Sequence, residues 1–376
     1  MSLAIVHTER STGWGGQEMR TVSEARGVVA RGHRVIIVAS PGAVILERGA
    51  AEGLETRALK MRNAFDPVAI AQLIGIIRKE RADIVNTHSS IDSWVGAFAA
   101  KLTGAKLVRT RHLSAPISRN PLNFVHRLPD AIITTGEMTR QRLIQHNRLQ
   151  PRILESIPTG VDCEEFKPQP RSPDLRARLG LPVEATVLTK VAVLRRLKRH
   201  DILLETAALL RERPGLFFVL VGEGSQRAAI EERIRALGLA GHFKLFGHLD
   251  DIRPVLAATD ILVSSSDTEG VPQSAAQAMA MELPVIHTDV GSVGELIQNG
   301  VTGLLAPPGD PAALANAITR FVEDPSFALA CAQRGREHVL RNHSRERMID
   351  RVVGVYERLI QNGKSSGQEL PPAAAQ

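Results

Sequence analysis

Two doubly wound α/β domains, each a parallel sheet with helices on both faces, are the fold this sequence predicts. Three observations lead there. Short, fully apolar runs alternate with helix-length stripes from end to end, as in sheets buried on both faces. Glycine-rich turns or Asp-Pro pairs mark where helices begin after several of those runs. The alternation breaks once, at FKPQPRSPD (166–174), where three prolines in nine residues favour an extended connector.

In the first half, LAIVH reads as a strand, followed by the turn STGWGGQ and a helical stripe through Met19, Val22, Ala25 and Val29. Gly32 stops that helix, and RVIIVAS is the next strand. Asp66-Pro67 caps a helix whose stripe is Ile70, Leu73, Ile74 and Ile77, and DIVNTH, KLVRTRH, DAIITTG and ILESIP are further strands. After the break come ATVLTKVAVL, a helix from about Lys198, then LFFVLVG, KLFG, DILVSS and LPVIHT. Asp310-Pro311 opens another capped helix. The expected organisation is a first domain at 1–165, a linker at 166–174 and a second domain at 175–343. A last helix at 344–362 is expected to pack back on the first domain, and the tail at 363–376 reads as disordered.

At 376 residues, with 43% hydrophobic and 23% charged content, the chain suits about two to three soluble domains. Aromatics are only 3%, so the cores must be aliphatic. Two distant cysteines form no disulfide framework or zinc spacing, which fits a reducing cytoplasm. The start lacks a basic signal-peptide region, and no apolar run approaches the roughly 20 residues a bilayer needs. The expectation is a cytoplasmic protein, at most peripheral to a membrane. Net charge is +7, with ten basic against two acidic residues between Lys101 and Arg152. An anionic partner or a solvated basic face would explain that excess.

In such sheets ligands bind beyond the carboxyl ends of the strands. The turn GWGGQE could bring backbone N–H groups to a phosphate, although its spacing is not the dinucleotide fingerprint. In VLRRLKR, Arg195 and Lys198 directly follow a strand; cations in a first helical turn oppose the helix dipole unless an anion is present. VGEGSQ, with Gly222, is a weak phosphate-loop signal, and Gly247 follows another strand. His88 and His112 both sit at strand ends in the first half, as do Arg109 and Arg111. No D-x-D pair occurs, which removes the usual seat for a metal–nucleotide complex, and no metal or cofactor is expected. In TEGVPQSAAQAMAMELP, Glu269 stands where a helix begins and Gln277 lies eight positions on, about two turns further on the same face. Asp267 and Thr268 could cap that helix, which leaves Glu269 for something else.

That segment, with VAVLRRLKR, GWGGQE, IPTGVD and VGSVGELIQNGVTGLL, resembles the retaining family 4 glycosyltransferases of the GT-B fold, in which two Rossmann-like domains face a central cleft. The resemblance spans about residues 3 to 360, and NTHSSIDSW and RTRHLS are similar to the bacterial branch that builds lipopolysaccharide and other surface polysaccharides. It implies that Glu269 holds donor-sugar hydroxyls and that Arg195 and Lys198 hold the diphosphate. Gly15 and Gly16 cover that diphosphate from the other domain, and His112 lies near the donor sugar and acceptor, with His88 second choice. Gly222, Gly247, Gly270, Gln273, Ser274 and Gln277 complete the donor set, and Arg109 and Arg111 lie on the acceptor side. Two positions depart from the family's pattern: Gln277 replaces a ribose-binding Glu, and Pro272 removes one backbone donor.

The implied reaction is metal-independent, retaining transfer from a nucleotide sugar, its base open, to a glycan or lipid-linked glycan hydroxyl. Front-face attack with the departing phosphate as base is implied, because no nucleophile is identifiable on the far face. The rivals are a nucleotide-sugar epimerase of the same fold, a non-catalytic glycan- or nucleic-acid-binding subunit, and a phosphorylase, which nothing in the sequence selects; nucleic acid is the partner least expected.

Overall fold

A computed structural model describes residues 2–112, 117, 120–170 and 172–365. The chain divides into two compact units. One comprises the residues up to Thr159 together with those from Arg345 onward, and the other is Gly160–Ser344.

The first unit is built on seven parallel strands: β1 (Ala4–Glu9), β2 (Arg34–Ala39), β3 (Glu55–Ala58), β4 (Ile84–Thr87), β5 (Lys106–Arg111), β6 (Ala131–Thr134) and β7 (Leu154–Ser156). Their order is β3-β2-β1-β4-β5-β6-β7, with Ile5 paired to Val35 on one side and Ile84 on the other. Consecutive residues of β1, β2 and β4 are buried, as sheets covered on both faces require. Asp66 caps the helix Pro67–Glu80 by accepting from Ala69 N at 3.1 Å, and Ser89 with Asp92 forms a capping box on Ser90–Thr103. The C-terminal helix Arg345–Ser365 packs on the helix Gly16–Ala30. The two approach so closely at Gly27 that a Cβ there would lie 1.9 Å from Ile349 Cδ1. Beneath them the Tyr356 hydroxyl donates to Glu24 at 3.1 Å and accepts from Asn86 at 2.9 Å.

The second unit has six parallel strands: β8 (Thr186–Val191), β9 (Leu216–Val221), β10 (Phe243–Gly247), β11 (Ile261–Val263), β12 (Val285–Thr288) and β13 (Leu304–Ala306). Their order is β10-β9-β8-β11-β12-β13. One core packs β8, β9 and β12 under the helices His200–Leu209 and Pro311–Glu323; another surrounds the helix Gln273–Ala280.

Three features differ from the expectation. The edge strands β3 and β13 were not foreseen. The division falls at Thr159/Gly160, so the proline-rich stretch lies inside the second unit, where Phe166 is buried in its core and Ser172 caps a short helix, Pro173–Arg178. The last helix extends past Asn362 to Ser365, and the rest of the expected tail lies outside the described residues. No helix among the described residues is long and apolar enough to cross a membrane.

Candidate active site

In the second unit the chain leaves β8 through Ala192–Leu194 and meets the VGEG turn after β9. Gly222 and Gly224, at φ +137° and +158°, lie against that exit; a Cβ on them would come within 2.1 Å of Ala192 O and 2.4 Å of Leu194 O. Leu194 N donates to Glu223 O at 2.9 Å, which locks the two turns together. Gly247, at φ +76°, would press a Cβ to 2.8 Å from the Glu223 carboxylate. Close backbone packing accounts for Gly222, and the left-handed backbone for Gly247, since the 46%-exposed Glu223 side chain can move aside.

Arg195 is exposed and makes no ion pair among the described residues; it precedes a short 3-10 turn, Arg196–Lys198. Arg199, left-handed at φ +46°, separates that turn from the helix His200–Leu209. Lys198 is thus not in a first α-helical turn, contrary to expectation. Its ammonium meets Glu269 Oε1 at 2.6 Å, with the two side chains 28% and 14% exposed, so water screens this pair only in part.

Glu269 lies in the loop before the helix Gln273–Ala280, not on it, so Glu269 and Gln277 do not share one helical face. Asp267, expected to cap that helix, instead pairs with Arg199 at 3.0 Å. The N-cap is Pro272, which brings no side chain to the helix N-terminus, an end that favours negative charge. Gly270, Gln273, Ser274 and Gln277 are all partly buried around it.

Two further residues hold this arrangement: Lys190, which sequence reasoning does not bring to the site, and Gly291, which follows a strand. Lys190, buried in β8, donates to Ser265 Oγ at 2.5 Å and to the Lys198 carbonyl, tying both loops to the sheet. Burial, and then Lys198, push its pKa down to about 7, while Glu269 acts the other way. A lysine inside the apolar run TVLTKV was the available signal. Gly291, at φ +60°, would place a Cβ 1.8 Å from the Glu269 carbonyl oxygen, so only glycine lets the chain after β12 lie against Glu269.

In the first unit β1 ends at buried Glu9, which accepts from Ser11 N at 2.8 Å and from the Gln17 amide. Burial, and then Asp92, raise its pKa to about 7. Gly15 N donates to Glu18 at 2.9 Å. A Cβ on Gly16 would meet nothing within 4 Å, so no packing among the described residues demands glycine there, unlike Gly222.

A cavity of about 590 Å³ beyond β4 and β5 is lined by His88, Arg109, Arg111, His112, Asn123 and His126, among others. Buried Asp92 holds two of the lining residues by their backbone, accepting from His88 N at 2.8 Å and Ser89 N at 2.9 Å. The buried Arg109 guanidinium donates to His126 Nδ1; burial and then Arg111 lower Arg109 to about 10, and burial, then Arg109, press His126 to about 3. His7, His88 and His112 form a stack, with His7 Nδ1 to His88 Nε2 at 2.8 Å and His88 Nδ1 to His112 Nε2 at 2.9 Å.

The basic excess of residues 101–152 is not one face. Arg109 and Arg111 line this cavity, whereas Lys106, Arg127, Arg148 and Arg152 line another, of about 1050 Å³, near the amino ends of β5–β7. Arg140 pairs with Glu137 at 2.7 Å, and Arg119 lies outside the described residues. No group of three or more His, Cys, Asp or Glu among the described residues could hold a metal ion.

Comparison with known proteins gives two family matches: "Glycosyltransferase Family 4" over residues 14–165 and "Glycosyl transferases group 1" over 172–338. The Escherichia coli UDP-Gal:alpha-D-GlcNAc-diphosphoundecaprenol alpha-1,3-galactosyltransferase is 27% identical over 79% of this chain and 81% of its own. Among solved structures, a glycosyltransferase of Rickettsia africae matches at TM-score 0.88 and 23% identity, covering 96% of this chain and 99% of that one. Anabaena HepE in complex with UDP matches at 0.82 and 20%, covering 97% and 100%. The chain belongs to the family 4 glycosyltransferases and is a nucleotide-sugar-dependent enzyme of the GT-B fold.

Proposed function

We propose that this enzyme moves a sugar, with retention and without a metal, from a nucleoside diphosphate to a lipid-linked glycan in lipopolysaccharide or other surface-glycan synthesis. The Lys198–Glu269 pair carries the reading. A cation and a carboxylate held 2.6 Å apart beside an uncapped helix N-terminus suit a leaving diphosphate next to an oxocarbenium-like sugar carbon. Lys198, with Arg195, takes the developing negative charge; Glu269 orients sugar hydroxyls and opposes the positive charge at carbon. Gln277 accepts and donates to the ribose. The bond from the sugar to the diphosphate breaks as the acceptor oxygen bonds on the same face, and the acceptor proton passes to the departing phosphate. Gly16 offers its backbone N–H to an anion at the start of its helix, where Glu18 holds the Gly15 N–H, and Arg109, Arg111 and His112 make the first unit's cavity the acceptor side.

Uridine is the first base to test, because the E. coli relative is named for UDP-Gal and HepE for its complex with UDP. A lipid-linked acceptor is supported by that relative's name and by the surface beside the first unit's cavity. The turn 121–127 lines the cavity with Asn123 and His126 while leaving Phe124 42% exposed. Phe124 packs on Trp94 at 5.0 Å with Phe65, itself 60% exposed, and Arg127 ends the same turn. Exposed aromatics, with Arg127 at the end of the Phe124 turn nearer the other cavity, suit peripheral attachment to an anionic membrane, on the cytoplasmic side where nucleotide sugars are made.

A thermal-shift panel of nucleotide sugars followed by transfer to lipid-linked GlcNAc-diphosphate tests this. A UDP-sugar should raise Tm and be consumed only with acceptor. Turnover without acceptor would mark an epimerase, and binding with no transfer across many acceptors a non-catalytic subunit. Cosedimentation should require anionic vesicles, weaken in salt and fall when Phe124→Ser and Arg127→Glu are combined; equal binding to neutral vesicles would remove the membrane part.

A further inference from the structure

The histidine stack of the first unit has a direction. Each contact between neutral imidazoles needs one N–H and one lone pair, so the row can run two ways. If His112 Nε2 donates to His88 and His88 Nε2 to His7, the last proton sits on His7 Nε2. That nitrogen is buried with no hydrogen-bond partner among the described residues, and an orphaned buried N–H is the rarer and costlier fault. In the other direction His7 Nδ1 donates to His88 Nε2, and His88 Nδ1 donates to His112 Nε2. Only an unpaired lone pair then remains on His7.

Thr21 supports the second direction independently. Its hydroxyl donates to Gln17 O at 3.0 Å, so toward His88 Nδ1, 3.4 Å away, it can only accept. A proton on His88 Nδ1 satisfies that contact and the one to His112 at 2.9 Å. A lone pair there would face the oxygen's lone pairs. Burial holds all three rings neutral, pushing His7 to about 4 and the other two well below the usual histidine range.

We infer that His7 and His88, with Thr21, are positioning residues that fix His112 as its Nδ1–H tautomer. His112 Nε2 is engaged as an acceptor, which leaves Nδ1–H as the group offered to the cavity that His112 lines. His112 is then a hydrogen-bond donor to a sugar or phosphate oxygen and cannot take the acceptor's proton, a role the departing phosphate must fill. The functional half of this inference rests on the proposed sugar transfer; the tautomer itself does not.

Two-bond ¹H–¹⁵N correlation spectra of the full chain labelled at histidine, at pH 7, read the tautomers directly. His112 is assigned by the signals lost in His112→Asn. Its Nδ1 should show the protonated-nitrogen shift and its Nε2 the lone-pair shift; the reverse, or two averaged shifts, overturns the inference. In His7→Leu the His112 shifts should converge and kcat should fall about tenfold, the size of one lost hydrogen bond, with donor KM unchanged. His7→Asn, which can still donate, should restore both. A folded His7→Leu with unchanged His112 shifts also overturns it, and Thr21→Val asks the same question if His7→Leu does not fold. Because the spectra need no substrate, failure of the transfer reaction and failure of the relay are separate results.

Discussion

Gly291→Ala is a small change with a consequence that can be worked from the structure. The new Cβ would lie 1.8 Å from the Glu269 carbonyl oxygen. Opening that contact to the 3.0 Å that real Cβ atoms tolerate moves the Glu269 backbone, or its neighbour, by about 1.2 Å, the difference of the two distances. A misplacement of about 1 Å at a reacting centre costs on the order of a hundredfold in rate. The left-handed backbone, φ +60°, adds roughly 1–2 kcal/mol of strain, about 2–8 °C in Tm for a unit of this size. Gly300→Ala separates the two effects, since Gly300 has φ +75° but a Cβ there meets nothing within 4 Å. Initial rates of nucleoside-diphosphate release should therefore fall about a hundredfold in Gly291→Ala and less than threefold in Gly300→Ala, and Tm should fall further in Gly291→Ala, which adds the clash to the backbone strain. Gly291→Ala matching Gly300→Ala in rate would refute the claim that glycine is there to seat Glu269.

Three further outcomes follow from the same geometry. Lys198→Ala should raise donor KM, lower kcat, or both, while EDTA leaves the wild-type rate unchanged; strict dependence on Mg²⁺ or Mn²⁺ would contradict the assignment of diphosphate charge to Lys198 and Arg195. Glu9 is held at about 7 against 4.5 unperturbed, so the folded chain binds the extra proton between those values, and its contribution, whole below pH 4.5, is lost as pH rises through 7. That shift is worth about 3 kcal/mol, and calorimetry should find Glu9→Gln flattening the fall of Tm across that window; an unchanged slope would show Glu9 titrating normally. The anomeric coupling constant of the product should match the donor's α linkage, and a β product would place the enzyme in the inverting class.

The central strands were legible because both faces of each are buried, so their sequences are continuous apolar runs such as RVIIVAS and LFFVLVG. The edge strands were not. ETRA in β3 is polar and half-exposed, and LLA in β13 is three residues long; each depends on its one paired neighbour rather than on its own pattern. Prolines at 168, 170 and 173 looked like a linker, but Phe166 anchors the stretch in a core, a tertiary choice that spacing does not reveal. At the site, Glu269 and Lys198 could be read from their places after strands. Their mutual contact, Lys190 beneath them and Gly291 behind them depend on how separate βα turns meet. The basic excess misled for the same reason, since neighbours in sequence on β5 and its flanking turns point to opposite ends of the sheet.

The transfer rate of Glu269→Ala, measured against wild type with the nucleotide sugar that stabilises both, tests the central claim most directly. Glu269 sits at a loop with its carboxylate on Lys198 rather than in a core, so its loss should leave Tm within a few degrees. Transfer should fall at least about a hundredfold, the scale of one lost electrostatic contact in a transition state. Turnover near the wild-type rate would contradict the account, because the carboxylate on which the proposed donor site is built would then take no part in the reaction.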